Sequence, residues 1–155
     1  MRRCSLLRSS IFVAVVALTA CGDSSTPPPT TPPEVEPFVG RWDADVFRVV
    51  SVADTTIDFD LFDDVDDGSF SITVEPSGTY TATLAFGGTA IPQIGTLTAT
   101  ADVVTLRPNG QQPASGPYEF ESADVLIVGP SSTEFDFNLD GEDEPGLLTF
   151  RVRRQ

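Results

Sequence analysis

The residues best suited to chemistry lie near the C-terminal end, in Asp136-Phe137-Asn138-Leu139-Asp140-Gly141-Glu142-Asp143-Glu144. Side-chain oxygens fall at alternate positions and a glycine follows. That pattern lets successive oxygens converge on a hard cation such as Ca²⁺, which takes roughly six to eight of them. Asp136, Asn138, Asp140 and Glu144 are the candidate ligands, and calcium is the cofactor they suggest. The other reading is a β-hairpin with Asp140-Gly141 at its tip, Asp136 and Asn138 on the wet face, and Phe135 and Phe137 turned inward. A second acidic stretch, from Asp60 to Gly68, fits a cation loop less well, because Val65 falls where an oxygen is needed. A solvated acidic turn is the expectation there.

Missing residue types narrow the chemistry further. The chain has no histidine, and all nine of its basic residues are arginines. Zinc sites built on histidine, Ser-His-Asp and Cys-His nucleophiles, and Schiff-base lysines are therefore excluded. The carboxylates cluster in turn-like tips, not among residues that would exclude water and raise a carboxyl pKa. The sequence reads as a binding or structural protein, not an enzyme. Its formal charge of −14 repels nucleic acid and anionic lipid headgroups and leaves cations as plausible partners.

Cys21 is the one residue whose surroundings name a modification. Arg2, Arg3 and Arg8 precede an apolar run at residues 11–20, which ends in Leu18-Thr19-Ala20-Cys21. Basic start, short apolar core and small residues before a cysteine resemble a bacterial lipoprotein signal peptide with its lipobox. The resemblance implies cleavage before Cys21, a diacylglycerol on its sulfur, an acyl chain such as palmitate on the new amino group, and anchorage to a membrane of the cell envelope. Gly22 after the cysteine favours the outer membrane where there is one. An apolar run of this length is too short to span a bilayer by itself, since a helix needs about 20 residues. Two or more acyl chains would supply stable anchoring. Without residues 1–20 the chain keeps 9 − 3 = 6 arginines against 23 acidic residues, a charge of −17, and has no second cysteine for a disulfide.

Residues 21–37 then form a tether. Asp23 to Pro37 reads DSSTPPPTTPPEVEP, too poor in apolar side chains to offset the entropy of ordering. From residue 38 to 155 the pattern changes to period two. Ile57, Phe59 and Leu61, then Phe70, Ile72 and Val74, then Tyr80, Ala82, Leu84 and Phe86 alternate with polar residues. Leu97 and Ala99, Val104 and Leu106, Leu126 and Val128, Phe135 and Phe137, and Leu148, Phe150 and Val152 follow the same rule. Turn signals such as Pro76-Ser77-Gly78, Gly87-Gly88, Pro108-Asn109-Gly110 and Asp140-Gly141 separate the runs. The reading is all-β, an antiparallel meander of eight to ten strands in one domain, which closes into a barrel or folds as a two-sheet sandwich.

Gly40-Arg41-Trp42 at the start of the first strand and Phe150-Arg151-Val152-Arg153 near the end of the last are similar to the lipocalin (calycin) pattern. Glu75-Pro76-Ser77-Gly78-Thr79-Tyr80 between them looks like small bacterial lipocalin-like lipoproteins. The resemblance covers residues 38–155 and implies a barrel. Gly40 and Trp42 would close one end of it, and Arg151 or Arg153 would pack across the indole. A barrel of eight strands has room for side chains or one small apolar ligand. Phe59, Phe70, Tyr80, Leu84 and Phe86, with Phe135 and Phe150, are then the candidate ligand wall. The same residues would equally fill a solid core in a structural or interaction lipoprotein with acidic loops.

Overall fold

Alternating apolar and polar side chains draw the chain into nine strands: β1 (Gly40–Ser51), β2 (Asp58–Asp60), β3 (Ser69–Val74), β4 (Thr79–Phe86), β5 (Thr89–Ala99), β6 (Val103–Pro108), β7 (Ala114–Ser122), β8 (Val125–Phe135) and β9 (Glu144–Arg154). The computed structural model describes residues 31–32, 34–138 and 140–155. The signal-like segment, Cys21 and the tether through residue 30 lie outside the described residues.

From β3 to β9 each strand pairs antiparallel with the next, and β9 returns to β1, from Trp42↔Arg154 to Ser51↔Gly146. The first part of β1 also pairs with β3, from Gly40↔Val74 to Asp43↔Ser71. Eight strands, β1 and β3 to β9, thus close into an up-and-down barrel, lipocalin-like in architecture, and the two-sheet sandwich is set aside. Closure pairs the backbone groups that an open sheet would leave at its edges. β2 is the ninth strand. It pairs with the far half of β1, from Arg48↔Asp60 to Val50↔Asp58, where β3 does not reach. A bulge between Ala44 and Val46 inserts Asp45 into β1. Such an insertion bends and twists a strand, which lets β1 serve both neighbours.

A meander sends alternate turns to opposite ends of the barrel. At one end lie the short connections 75–78, 100–102 and 123–124, with a 3₁₀ turn at Glu36–Phe38. At the other end lie the longer ones, 52–68, 109–113 and 136–143, together with the tight Gly87-Gly88 turn. The two ends are therefore different in kind: a floor and a mouth.

The folded part begins earlier than the alternation suggests. Val35, counted with the tether, is 4% exposed and lies against Gly78, and Phe38 is 2% exposed. The 3₁₀ turn is held by Phe38 N–H donating to the Val35 carbonyl at 2.9 Å. Proline in its first turn costs nothing, because that N–H would have no partner within the turn.

Candidate functional site

The floor is built around Trp42. Its indole N–H donates to the Phe38 carbonyl at 2.7 Å, and its ring is 1% exposed. The guanidinium of Arg154 lies over the ring at 4.2 Å from the centroid. Arg154 also donates to the carbonyls of Val39 and Pro37, so one side chain clamps the 3₁₀ turn, the first strand and the indole together. Phe120 and Tyr118 complete the packing, with ring centroids 5.4 and 5.0 Å from Phe38. The Tyr118 hydroxyl donates to the Thr100 carbonyl at 2.9 Å, which ties the floor to the β5–β6 turn.

The arginine over the tryptophan is therefore neither Arg151 nor Arg153. Leu148, Phe150 and Val152 face the interior, and the next residue of that parity is Arg154, directly opposite Trp42 in the ladder. Arg151 and Arg153 fall on the outer face. There they share the bulge residue Asp45, which accepts from Nε and a terminal nitrogen of Arg151 at 2.8 Å and from Nε of Arg153. The Arg151 guanidinium, with Arg153 beside it, holds the Asp45 carboxyl at about 2, below its ordinary 3.8, although partial burial pushes the other way.

Above the floor, toward the mouth, the barrel holds a cavity of about 240 Å³. Phe70, Tyr80, Leu84 and Phe150, four of the seven residues named as a candidate wall, line it. Phe47 and Gln93 belong to the wall as well, both on the inward side of their strands. A smaller void of about 30 Å³ continues down between Phe38 and Trp42. The wall contains no charged side chain: its polar members are Tyr80, glutamines and serines. Tyr80 is 0% exposed, and among the described residues its hydroxyl is the buried side-chain polar atom without a hydrogen-bond partner. Burial raises the pKa of this phenol above its usual value, so it stays protonated at neutral pH.

Three candidates for the wall, Phe59, Phe86 and Phe135, are not in it. Phe86 has the parity of Tyr80 and Leu84 but is 39% exposed, since β4 carries it beyond the interior to the turn at the mouth. Phe59 faces inward on the short β2, where it stacks on Phe135 at 4.8 Å, and Phe135 meets Phe137 edge-on at 5.0 Å. These three rings plug the side of the mouth that β3 leaves uncovered. Gly146 makes room for Phe137, because a Cβ there would come within 3.2 Å of its ring.

The acidic segments form the rim. The β8–β9 ladder stops at Phe135↔Glu144, so residues 136–143 make a wide loop, not a two-residue turn at Asp140-Gly141. Carboxylate oxygens of Asp136, Asp140 and Glu144 come within 4.8 Å of one another, and these are the residues that could hold a cation. The same carboxylates accept from the loop itself. Asp136 takes the N–H groups of Asp140 and Gly141, at 3.1 and 2.8 Å, and Asp140 takes that of Glu142 at 2.9 Å. Glu144 takes Phe137 N–H at 3.0 Å and the Asn138 amide at 2.6 Å, so Asn138 spends its amide nitrogen within the loop. The 61–68 loop is more than a solvated turn. Leu61 is 1% exposed, and the Asp67 carboxylate accepts from Gly87 and Gly88 N–H at 2.7 and 2.5 Å, fastening this loop to the β4–β5 tip. Both glycines have positive φ, 56° and 73°, which the two-residue hairpin turn demands.

Compared with protein families, curated proteins and solved structures, the chain finds no match. Its function must be read from the barrel itself.

Proposed function

We propose that this chain is a membrane-anchored lipoprotein whose lipocalin-like barrel binds a small apolar ligand. The cavity carries the binding part of this reading: about 240 Å³ lined by aromatic and aliphatic side chains and free of charge. Ligand sites in proteins are mostly apolar concavities with few polar groups, and the mouths of β-barrels are a common place for them. A barrel filled only for stability closes such space, because each void forfeits packing energy. The anchoring part rests on the order of basic residues, apolar run and Leu18-Thr19-Ala20-Cys21. A binding module also suits a chain without histidine or lysine and a cavity wall without a carboxylate.

Titration of the chain with cumene, followed by thermal melting, tests the binding part. A ligand that binds only the folded state raises stability by RT ln(1 + [L]/Kd), about 2.7 kcal/mol at a hundredfold excess over Kd. Ala82→Phe places a ring in the cavity wall and should abolish the response. A melting temperature that cumene leaves unchanged, in a chain that melts cooperatively, would refute the binding module.

A further inference from the structure

We infer that the ligand is two-ended, an uncharged glycoside whose short apolar chain fills the cavity and whose sugar leaves the barrel sideways, through a gap in the wall above β6, into an outer groove lined by carboxamides. The inference rests on the binding reading above and adds the chemical class of the ligand and its route through the wall.

The ladders place the gap. β4 pairs with β5 from Thr79↔Thr96 up to Phe86↔Thr89, but β6 reaches β5 only from Ala99↔Val104 to Gly95↔Pro108. β6 has 6 residues where β5 has 11, so the upper part of β5 has no ladder partner on that side. Just above Gly95↔Pro108, Asn109 N–H still donates to the Ile94 carbonyl at 2.9 Å. Backbone groups alternate sides along a strand, so Pro92 turns its backbone the same way as Ile94 and has no N–H to give. A further strand cannot zip fully onto this edge, and the wall stays open there.

Outside the gap runs a groove of about 290 Å³, lined by Pro92, Gln93, Ile94, Pro108, Asn109 and Gln111. Gln93, Pro108 and Gln111 line the cavity as well, so the two spaces meet at these residues. They differ in chemistry. The cavity is mainly aromatic and aliphatic, whereas half of the groove's residues are carboxamides. Each carboxamide offers both donors and an acceptor, which is what a sugar hydroxyl requires of a partner. Pro92, Ile94 and Pro108 supply apolar surface for the C–H groups of a sugar ring. Neither space has a charged side chain in its lining, and Arg107, exposed beside Pro108, belongs to neither. A charged head at the junction would lose water without gaining a counter-charge. Size agrees with two ends. An apolar cavity of about 150 Å³ admits benzene, so about 240 Å³ admits roughly nine heavy atoms, an eight-carbon chain with its glycosidic oxygen. By the same scaling, about 290 Å³ admits roughly eleven, one hexosyl ring.

Four probes with one chain and different heads test the inference: octyl glucoside, 1-octanol, octanoate and octyltrimethylammonium, each titrated calorimetrically as a monomer into the full chain carrying Cys21→Ser. Octyl glucoside should bind about five- to thirtyfold more tightly than 1-octanol, the range for two modest neutral hydrogen bonds, and more tightly than either ion. Asn109→Ala with Gln111→Ala, both on an exposed loop, should remove that preference and leave 1-octanol affinity intact. Binding also reads out without a variant. Octyl glucoside should shift the side-chain amide resonances of Gln93, Asn109 and Gln111, and 1-octanol should leave that of Asn109 in place. Equal affinities for octyl glucoside and 1-octanol, or shifts confined to Gly87, Gly88 and the 136–143 loop, would overturn the side groove. Octanoate or octyltrimethylammonium binding as tightly as the glucoside would overturn the uncharged class. No binding by any of the four would overturn the inference, and the response to cumene then decides separately whether the binding module stands.

Discussion

Arg151, Arg153 and Arg154 sit within four positions of each other, yet one of them holds the floor and two do not. Parity decides which. Arg154 lies over an indole and bonds two carbonyls in a partly buried setting, so Arg154→Met should lower stability by about 1–3 kcal/mol as both kinds of contact go. Trp42→Ala removes the largest buried side chain and should cost about 3–5 kcal/mol. Arg151→Ala breaks an exposed pair and should cost only ~0.2–1 kcal/mol. Denaturant melts of the three variants check the order, and a loss at Arg151 as large as that at Arg154 would contradict the assignment. Asp45 adds a pH signature. Its folded-state pKa, about 2, lies below the ordinary 3.8, so the unfolded chain takes up the proton first as pH falls. The stabilisation from the two arginines is thus complete above about pH 4 and is lost as pH drops through 2. Asp45→Asn should flatten that part of the stability profile and leave neutral-pH stability only slightly reduced, as befits a solvent-screened bridge.

At the scale of elements, much of the barrel was legible because alternation encodes which face of a strand is buried. Phe70, Ile72 and Val74, or Tyr80, Ala82 and Leu84, have no other way to shed their apolar surface. Arg154 was equally legible, since it continues the parity of Leu148, Phe150 and Val152. It is hidden only if the run is taken to end where the apolar residues do. Phe86 and Phe59 show where parity stops being enough: it gives the face but not the height in the barrel, which the pairing partners set. The bulge at Asp45 and the tie from Asp67 to Gly87 and Gly88 depend on contacts distant in sequence, so no local pattern announces them. Asp67→Ala should speed amide exchange at Gly87 and Gly88 and at the 61–68 loop without moving exchange in β6 to β8. Exchange that rises evenly over the barrel would mean that Asp67 supports global stability instead of this one fastening. The 136–143 loop invites the same kind of test. Its carboxylates accept amides that Asp136→Ala would orphan, so exchange at Asp140 and Gly141 should rise. Calcium added at constant ionic strength probes the trio directly. A higher Tm that vanishes in Asp140→Asn supports a bound cation, and an unchanged Tm leaves a loop closed by its own amides.

At the scale of the whole molecule, the chain enters at the floor and the cavity opens at the mouth, so the proposed attachment and the proposed binding site sit at opposite ends. Val35 and Phe38 are packed into the floor beside Trp42, while Gln111, Gln112 and the acidic loops lie at the far end. If Cys21 is acylated, the intervening proline-rich segment joins the membrane to the closed end and leaves the mouth free to meet ligand. This arrangement makes anchoring and binding separable. Cys21→Ser removes the acyl chains that would supply nearly all of the membrane affinity, so the variant should give a soluble or an unprocessed form, which detergent partitioning of the two chains reads. Because no wall residue of the cavity is touched, its affinity for cumene should match that of the anchored chain measured in lipid vesicles after correction for probe dissolved in the bilayer. Identical partitioning of the two forms would end the lipoprotein proposal. Lost affinity in the released form would show instead that the membrane shapes the site, and that floor and mouth are not independent.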